Sequence, residues 1–123
     1  MIDAKTFEQL VGQAIHELPP MLLRQIANVA IVVEDLADED TLDEADIDDP
    51  MDLYGFYIGV PLPARHHDYG LIAPDKISIY RLPILAACAN DAAVMPFVRK
   101  TLRHEIAHYF GIDDNRLEEL NAY

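Results

Sequence analysis

The sequence has little cysteine, little basic charge and no long apolar run. One cysteine, Cys88, excludes a disulfide framework and a cysteine-rich zinc ribbon. Nine lysines and arginines stand against 22 aspartates and glutamates, giving a net charge of −13. This charge repels nucleic acids and anionic membrane surfaces, so we expect neither as a partner. Because the apolar stretches are too short to cross a bilayer and the first residues lack a signal-peptide layout, we expect a soluble cytoplasmic protein.

What the sequence does contain is typical of one domain over residues 1–123. Hydrophobic residues make up 51% of the chain, enough for a single core. Apolar residues recur at helical spacing from Phe7 to Leu18, and Pro19-Pro20 ends this helix and begins a short second one. The apolar run Val29–Val33, rich in β-branched residues, is typical of a strand covered on both faces. These elements predict layers of helix on sheet.

Two later segments are predicted to contain strands. Tyr54–Leu62 combines aromatic, branched and glycine residues, which favours a turn and a short strand. Ile77–Leu82 alternates as a strand with one buried face would, and Pro83 is expected to stop it.

An acidic segment separates the first predicted strand from the second. Ten of the sixteen residues from Glu34 to Asp49 are acidic, and no basic residue occurs between Arg24 and Arg65. An EF-hand is excluded because Asp38-Glu39-Asp40 has neither the turn glycine nor a properly spaced glutamate. We interpret the segment as a solvated loop, with a short helix at most, that is mobile and dispensable for folding. It could also lie near a cationic site and screen its charge.

The strongest chemical signal is the pattern HExxHxxGxxD, which runs from His104 to Asp114. Pro96 fits a helix start, and no breaker follows before Gly111, so the pattern lies in the last turns of a helix. His104 and His108 are four residues apart, hence on one helix face, where two imidazoles can bind one zinc ion. Phe97 and Thr101 share that face and are expected to form a wall behind the ion.

The remaining positions of the pattern complete a catalytic site. Glu105 lies beside the expected open position of the metal, where it can act as general base. Gly111 can adopt a left-handed conformation that ends the helix, so that Asp114 returns as the third ligand and water takes the fourth position. Asp113 competes with Asp114 for the role of third ligand. A solvated polar face ended by an ordinary glycine cap is the competing interpretation of the whole pattern.

The pattern resembles that of the zincin metallopeptidases. The chain also resembles a small bacterial zincin-like metallopeptidase family over nearly its whole length. The further segments that carry this resemblance are Leu18-Pro19-Pro20, Val29–Glu34, Gly55–Leu62 and Asp75–Arg81. The resemblance implies an α+β class and a minimal zincin-like fold, with a small mixed sheet, packed helices and the HExxH pattern on the penultimate helix. Family members often have a histidine directly after the second histidine of the pattern, where this chain has Tyr109.

The resemblance also implies a function. In zincins an edge strand near the motif helix binds extended substrate, and Ile77–Leu82 is the candidate here, with Ile77, Ile79 and Arg81 as substrate-binding residues. The expected activity is that of a zinc-dependent metallopeptidase acting on a peptide or protein substrate, in which activated water attacks the peptide carbonyl with Glu105 as general base. The alternative is a non-catalytic metal-binding or protein-interaction domain on a zincin scaffold, with the acidic segment as partner surface.

Overall fold

Five α-helices and three strands form the part of the chain that the structure, a computed structural model, describes: residues 2–59 and 75–112. No single helix in this part is long and apolar enough to cross a membrane. The helical segments 81–87 and 91–109 have sufficient length and apolar composition only when they are counted together, and a bend of 117° separates them. In chain order, the elements are α1 (Ala4–His16), α2 (Pro20–Gln25), β1 (Ala30–Glu34), α3 (Glu39–Ala45), β2 (Gly55–Ile58), β3 (Lys76–Tyr80), α4 (Arg81–Ala87) and α5 (Val94–Tyr109).

The three strands form a mixed sheet in the order β1-β3-β2. β1 pairs with β3 in parallel, and β2 pairs with β3 antiparallel, so that Val33 and Gly55 flank Ile79 on its two sides. Helices and a small mixed sheet in one chain confirm the predicted α+β class and minimal zincin-like architecture. The strand order places β3 in the centre and leaves β2 paired on one side only among the described strands.

Helices α1 and α5 cover one face of the sheet. Their apolar residues pack on Ile77 and Ile79, which are fully buried, and the stripe predicted for the first helix supplies much of this core. Arg99 of α5 donates from Nε and Nη2 to the two carboxylate oxygens of Glu17, both at 3.0 Å, and joins the end of α1 to the middle of α5. The buried residues of the two helices include Phe7, Val11, Ala14, Val98, Leu102 and Ile106.

The acidic segment covers the opposite face, so the expectation of a mobile solvated loop is wrong, whereas the short helix allowed for it is present as α3. Leu42 of α3 is only 9% exposed and forms a second apolar cluster with Ala37, Leu53 and Tyr80. Ala45 and Ile47 pack against this cluster. A few apolar residues on one side of the segment are therefore enough to hold it on the sheet, while its carboxylates face outward.

Both ends of α3 are defined by local contacts. The Asp38 carboxylate accepts a 2.8 Å hydrogen bond from the backbone N–H of Thr41, and this bond lowers the pKa of Asp38. Asp46 ends the helix in the left-handed conformation with φ 57°. Just before the helix, Asp35 accepts a 2.9 Å bond from Nε of Arg81, which ties the segment to the start of α4.

β3 passes directly into α4, which corrects the expected role of Pro83. The helix starts at Arg81, and Pro83 is its third residue, where a backbone N–H needs no partner within the helix. The apolar run that follows is thus helical. Cys88, just beyond it, is half-buried against the core, and burial raises the pKa of its thiol.

Gly55 lets the backbone of β2 approach α5 closely. A Cβ atom at this position would lie 2.8 Å from Cγ2 of Thr101, 3.1 Å from the carbonyl oxygen of Ser78 and 3.3 Å from Cγ of Glu105. The first of these distances is shorter than van der Waals contact allows. Glycine is therefore required here for lack of space.

Replacing Leu42 with alanine should lower the free energy of unfolding by about 2–3 kcal/mol, because it removes buried apolar atoms and leaves a cavity. Urea unfolding followed by circular dichroism measures the change. Leu36→Ala is the matched control in the same segment, since Leu36 is 41% exposed, and its effect should stay within about 0.5 kcal/mol. Equal effects of the two substitutions would contradict the packing of α3 on the sheet.

Replacing Gly55 with alanine should lower the free energy of unfolding by about 1–3 kcal/mol, because the added methyl group pushes β2 away from α5. The control is Gly12→Ala on α1, where a Cβ atom meets nothing within 4 Å. That change should raise stability by about 0.5–1 kcal/mol through helix propensity. The same unfolding measurement serves both variants, and a neutral Gly55→Ala would show that β2 can shift freely.

Candidate metal centre

Helix α5 carries the HExxH residues, as predicted. It begins at Val94 and has Pro96 in its first turn. It ends where Gly111, with φ 80°, adopts the left-handed conformation. The N–H groups of Gly111 and Ile112 donate at 2.9 Å to the carbonyl oxygens of His108 and Ala107, which is the hydrogen-bond pattern of a Schellman C-cap. The predicted left-handed end of the helix at Gly111 is thereby confirmed.

His104, Glu105 and His108 form a compact group of donor atoms on this helix. One nitrogen or oxygen from each lies within 4.8 Å of the others. The two imidazole rings meet edge to face, with their centroids 4.5 Å apart. Two helical histidines one turn apart therefore converge as the spacing predicts.

Glu105 is the most buried member of this group, with only 5% of its surface exposed. Its Oε1 lies 3.2 Å from Nδ1 of His108. When Nδ1 carries the proton, it donates to Glu105 and leaves Nε2 as the atom available to a metal ion. The contact also compensates for part of the cost of burying a carboxylate. The spacing of the pattern predicted the proximity of Glu105 to the histidines but not its burial.

A cavity of about 440 Å³ opens beside the group. Phe97 and Thr101, expected to form a wall behind the ion, line it together with His104 and His108. Thr101 Oγ1 donates a 2.9 Å hydrogen bond to the carbonyl oxygen of Phe97, and the Phe97 ring meets that of Tyr54 edge to face at 5.0 Å. Besides these residues and the three of the HExxH pattern, the cavity is lined by Ala45, Ile47, Asp52, Leu53, Gly55, Phe56 and Lys100.

The expectation that Ile77–Leu82 is an edge strand is wrong. β3 is hydrogen-bonded to β1 on one side and to β2 on the other, and Ile77 and Ile79 are fully buried in the core. Arg81 is bonded instead to Asp35 and to the backbone oxygen of Ile2. Alternating hydrophobicity marks a strand with one buried face but does not reveal its place in the sheet, and this is why the pattern misled.

Sequence reasoning missed several residues of the cavity. Tyr54, Gly55 and Phe56 bring three consecutive positions of the β2 region to it, and Ile47 comes from the acidic segment. Lys100 had a usable signal, because it precedes His104 by four residues and so shares its helix face. The others depend on strand order and on the packing of α3, which local patterns do not encode.

The donor set fits a divalent metal ion. Imidazole is a ligand that suits zinc, and His104 and His108 lie where they can share one ion. Asp113 and Asp114, the two candidates for the third ligand, lie outside the described residues. So does any helix after α5 that would make it the penultimate one.

Comparison with known proteins places the chain in a family. A search of curated proteins gives no match. The sequence model of the family described as zincin-like metallopeptidase matches residues 26–123. The match includes the sheet, the acidic segment, the cavity and the whole of α5, and it spans well over half of the chain. The protein therefore belongs to the zincin-like metallopeptidase family.

Proposed function

We propose that the protein is a zinc-dependent peptidase. His104, His108 and Asp114 hold the metal ion, and Glu105 is the general base. The observation that carries the proposal is the buried carboxylate of Glu105 beside two converging histidines at the wall of an open cavity. Family membership supports a metal-dependent hydrolase of peptide or protein substrates.

The chemistry is divided between the ion and the chain. A bound zinc ion supplies Lewis-acid chemistry, in that it polarises a carbonyl group and lowers the pKa of water. The Glu105 carboxylate takes a proton from the attacking water and passes it to the nitrogen of the leaving amine. The backbone of Gly55 lies so close to Glu105 that an added Cβ atom would come within 3.3 Å of its Cγ, and this proximity limits the movement of the side chain.

β2 takes the substrate-binding role first expected of Ile77–Leu82. It is paired on one side only among the described strands, and its first residues line the cavity beside Glu105. An extended peptide can add to such an edge through backbone hydrogen bonds. This arrangement would bring a peptide bond to Glu105 and the two histidines.

The contribution of the acidic segment favours an enzyme over a non-catalytic scaffold. A scaffold would be favoured if a carboxylate from this segment filled the open metal position. The segment instead presents Ala45 and Ile47 to the cavity, and none of its carboxylates belongs to the described donor group. On the side of the acidic segment, the cavity wall is thus formed by side chains that cannot bind a metal ion.

Wild-type protein made without a histidine tag should bind about one zinc ion per chain, and His104→Ala and Asp114→Ala should lose it because each removes a ligand. Elemental analysis after gel filtration measures the metal content. Asp113→Ala is the matched control and should retain zinc. Retention by Asp114→Ala together with loss in Asp113→Ala would reverse the assignment of the third ligand.

Glu105→Gln should keep both fold and zinc, because glutamine has the same size and Glu105 is not a proposed ligand. Hydrolysis of a library of unstructured fluorogenic peptides should nevertheless fall by at least about 10²-fold, the usual scale for loss of a general base. Zinc-loaded wild-type protein without turnover on the library would overturn the peptidase proposal and leave the scaffold. Equal activity of wild type and Glu105→Gln would identify a contaminating protease.

A further inference from the structure

The cavity beside Glu105 has an apolar wall formed by three parts of the fold. Ile47 and Ala45 come from the acidic segment, Phe56 from β2 and Phe97 from α5. Its volume of about 440 Å³ falls in the range of protein pockets that enclose organic ligands, about 300–1,000 Å³. A pocket of this size and lining is suited to a large apolar side chain.

The charge around this pocket is strongly one-sided. Asp43, Glu44, Asp46 and Asp48 are all exposed, and they flank Ala45 and Ile47 in the sequence. Among the described residues that line the cavity, Lys100 is the only lysine or arginine, and Asp52 lies on the same lining. Exposed carboxylates this close in sequence to two wall residues favour cationic segments near the cavity and disfavour anionic ones.

These two properties together define a class of substrate. We propose that the site takes an extended peptide segment whose large apolar side chain enters the cavity against Ile47 and Phe56, with lysine or arginine on either side of it. The inference rests on the proposed function, because it places this side chain next to the peptide bond to be cleaved. Ile47 is then a residue that determines specificity. The acidic segment provides both the apolar contact and the surrounding charge.

Binding can be measured separately from turnover with the zinc-loaded Glu105→Gln protein. Three fluorescent peptides of equal length, blocked at both ends, serve as probes: leucine flanked by lysines, the same peptide with glutamates for lysines, and the lysine peptide with glycine for leucine. Fluorescence anisotropy at about 50 mM salt should give at least about tenfold tighter binding of the lysine–leucine peptide than of either other peptide. At about 0.5 M salt the preference over the glutamate peptide should shrink, whereas the preference over the glycine peptide should remain.

Variants assign each preference to its residues. Ile47→Ser should remove the preference for leucine over glycine and keep that for lysine over glutamate. Ala45→Leu fills the cavity and should likewise remove the preference for leucine over glycine. This second variant tests the pocket even if Ile47→Ser folds poorly. The control is Met51→Ser, because Met51 is exposed near the same cavity without lining it.

A second pair of variants tests the charge. Glu44→Gln with Asp48→Asn should weaken the preference for lysine over glutamate by at least about threefold at low salt. The matched neutralisation is Glu8→Gln with Asp91→Asn, two exposed acids that do not line the cavity and do not belong to the acidic segment. It should leave the preference unchanged.

The outcomes separate this inference from the proposed function. Equal binding of the leucine and glycine peptides, or of the lysine and glutamate peptides, would overturn the inference even if the wild-type enzyme hydrolyses the peptide library. Selective binding of the lysine–leucine peptide without hydrolysis by the wild-type protein would instead support the inferred binding preference and overturn the proposed peptidase function.

Discussion

The close approach of β2 to α5 is the contact on which the site depends. At Gly55 the strand lies so near the helix that no side chain fits between it and Thr101. The same approach packs the strand against Cγ of Glu105, and it brings the backbone around Gly55 to the cavity. If the strand were further away, Glu105 would have more space and the cavity would be wider on this side. Gly55, because it has no side chain, thus sets the geometry of both the Glu105 side chain and the cavity.

Local patterns predicted what depends on local physics. The stripe of α1, the start of α5 near Pro96 and the left-handed turn at Gly111 each follow from side-chain spacing or from one residue's backbone preferences. The convergence of His104 and His108 follows from helix geometry in the same way. Each of these could be predicted because the partners lie within a few turns of one helix.

The failures concern contacts between residues distant in the chain. Ile77 and Ile79 alternate with polar residues in the same way whether their strand is central or at an edge, and only the pairing with both β1 and β2 decides. The acidic segment was misread because charge dominates its composition. Its position on the sheet depends on Leu42 meeting Leu53 and Tyr80. The free energy gained by burying a few apolar atoms is enough to hold the segment, because carboxylates that stay exposed keep their hydration when the backbone beneath them is ordered.

The first helix has a consequence for the diversity of the family. The family match starts at residue 26, so α1 lies outside it, although Phe7, Val11 and Ala14 of α1 complete the core behind α5. The side of the motif helix that faces away from the cavity is thus covered by a part of the chain that lies outside the family match. A relative without this helix must shield the same apolar stripe by an insertion, a terminal extension or a second subunit. Because no residue of α1 lines the cavity, a relative can differ in this cover without disturbing the HExxH residues.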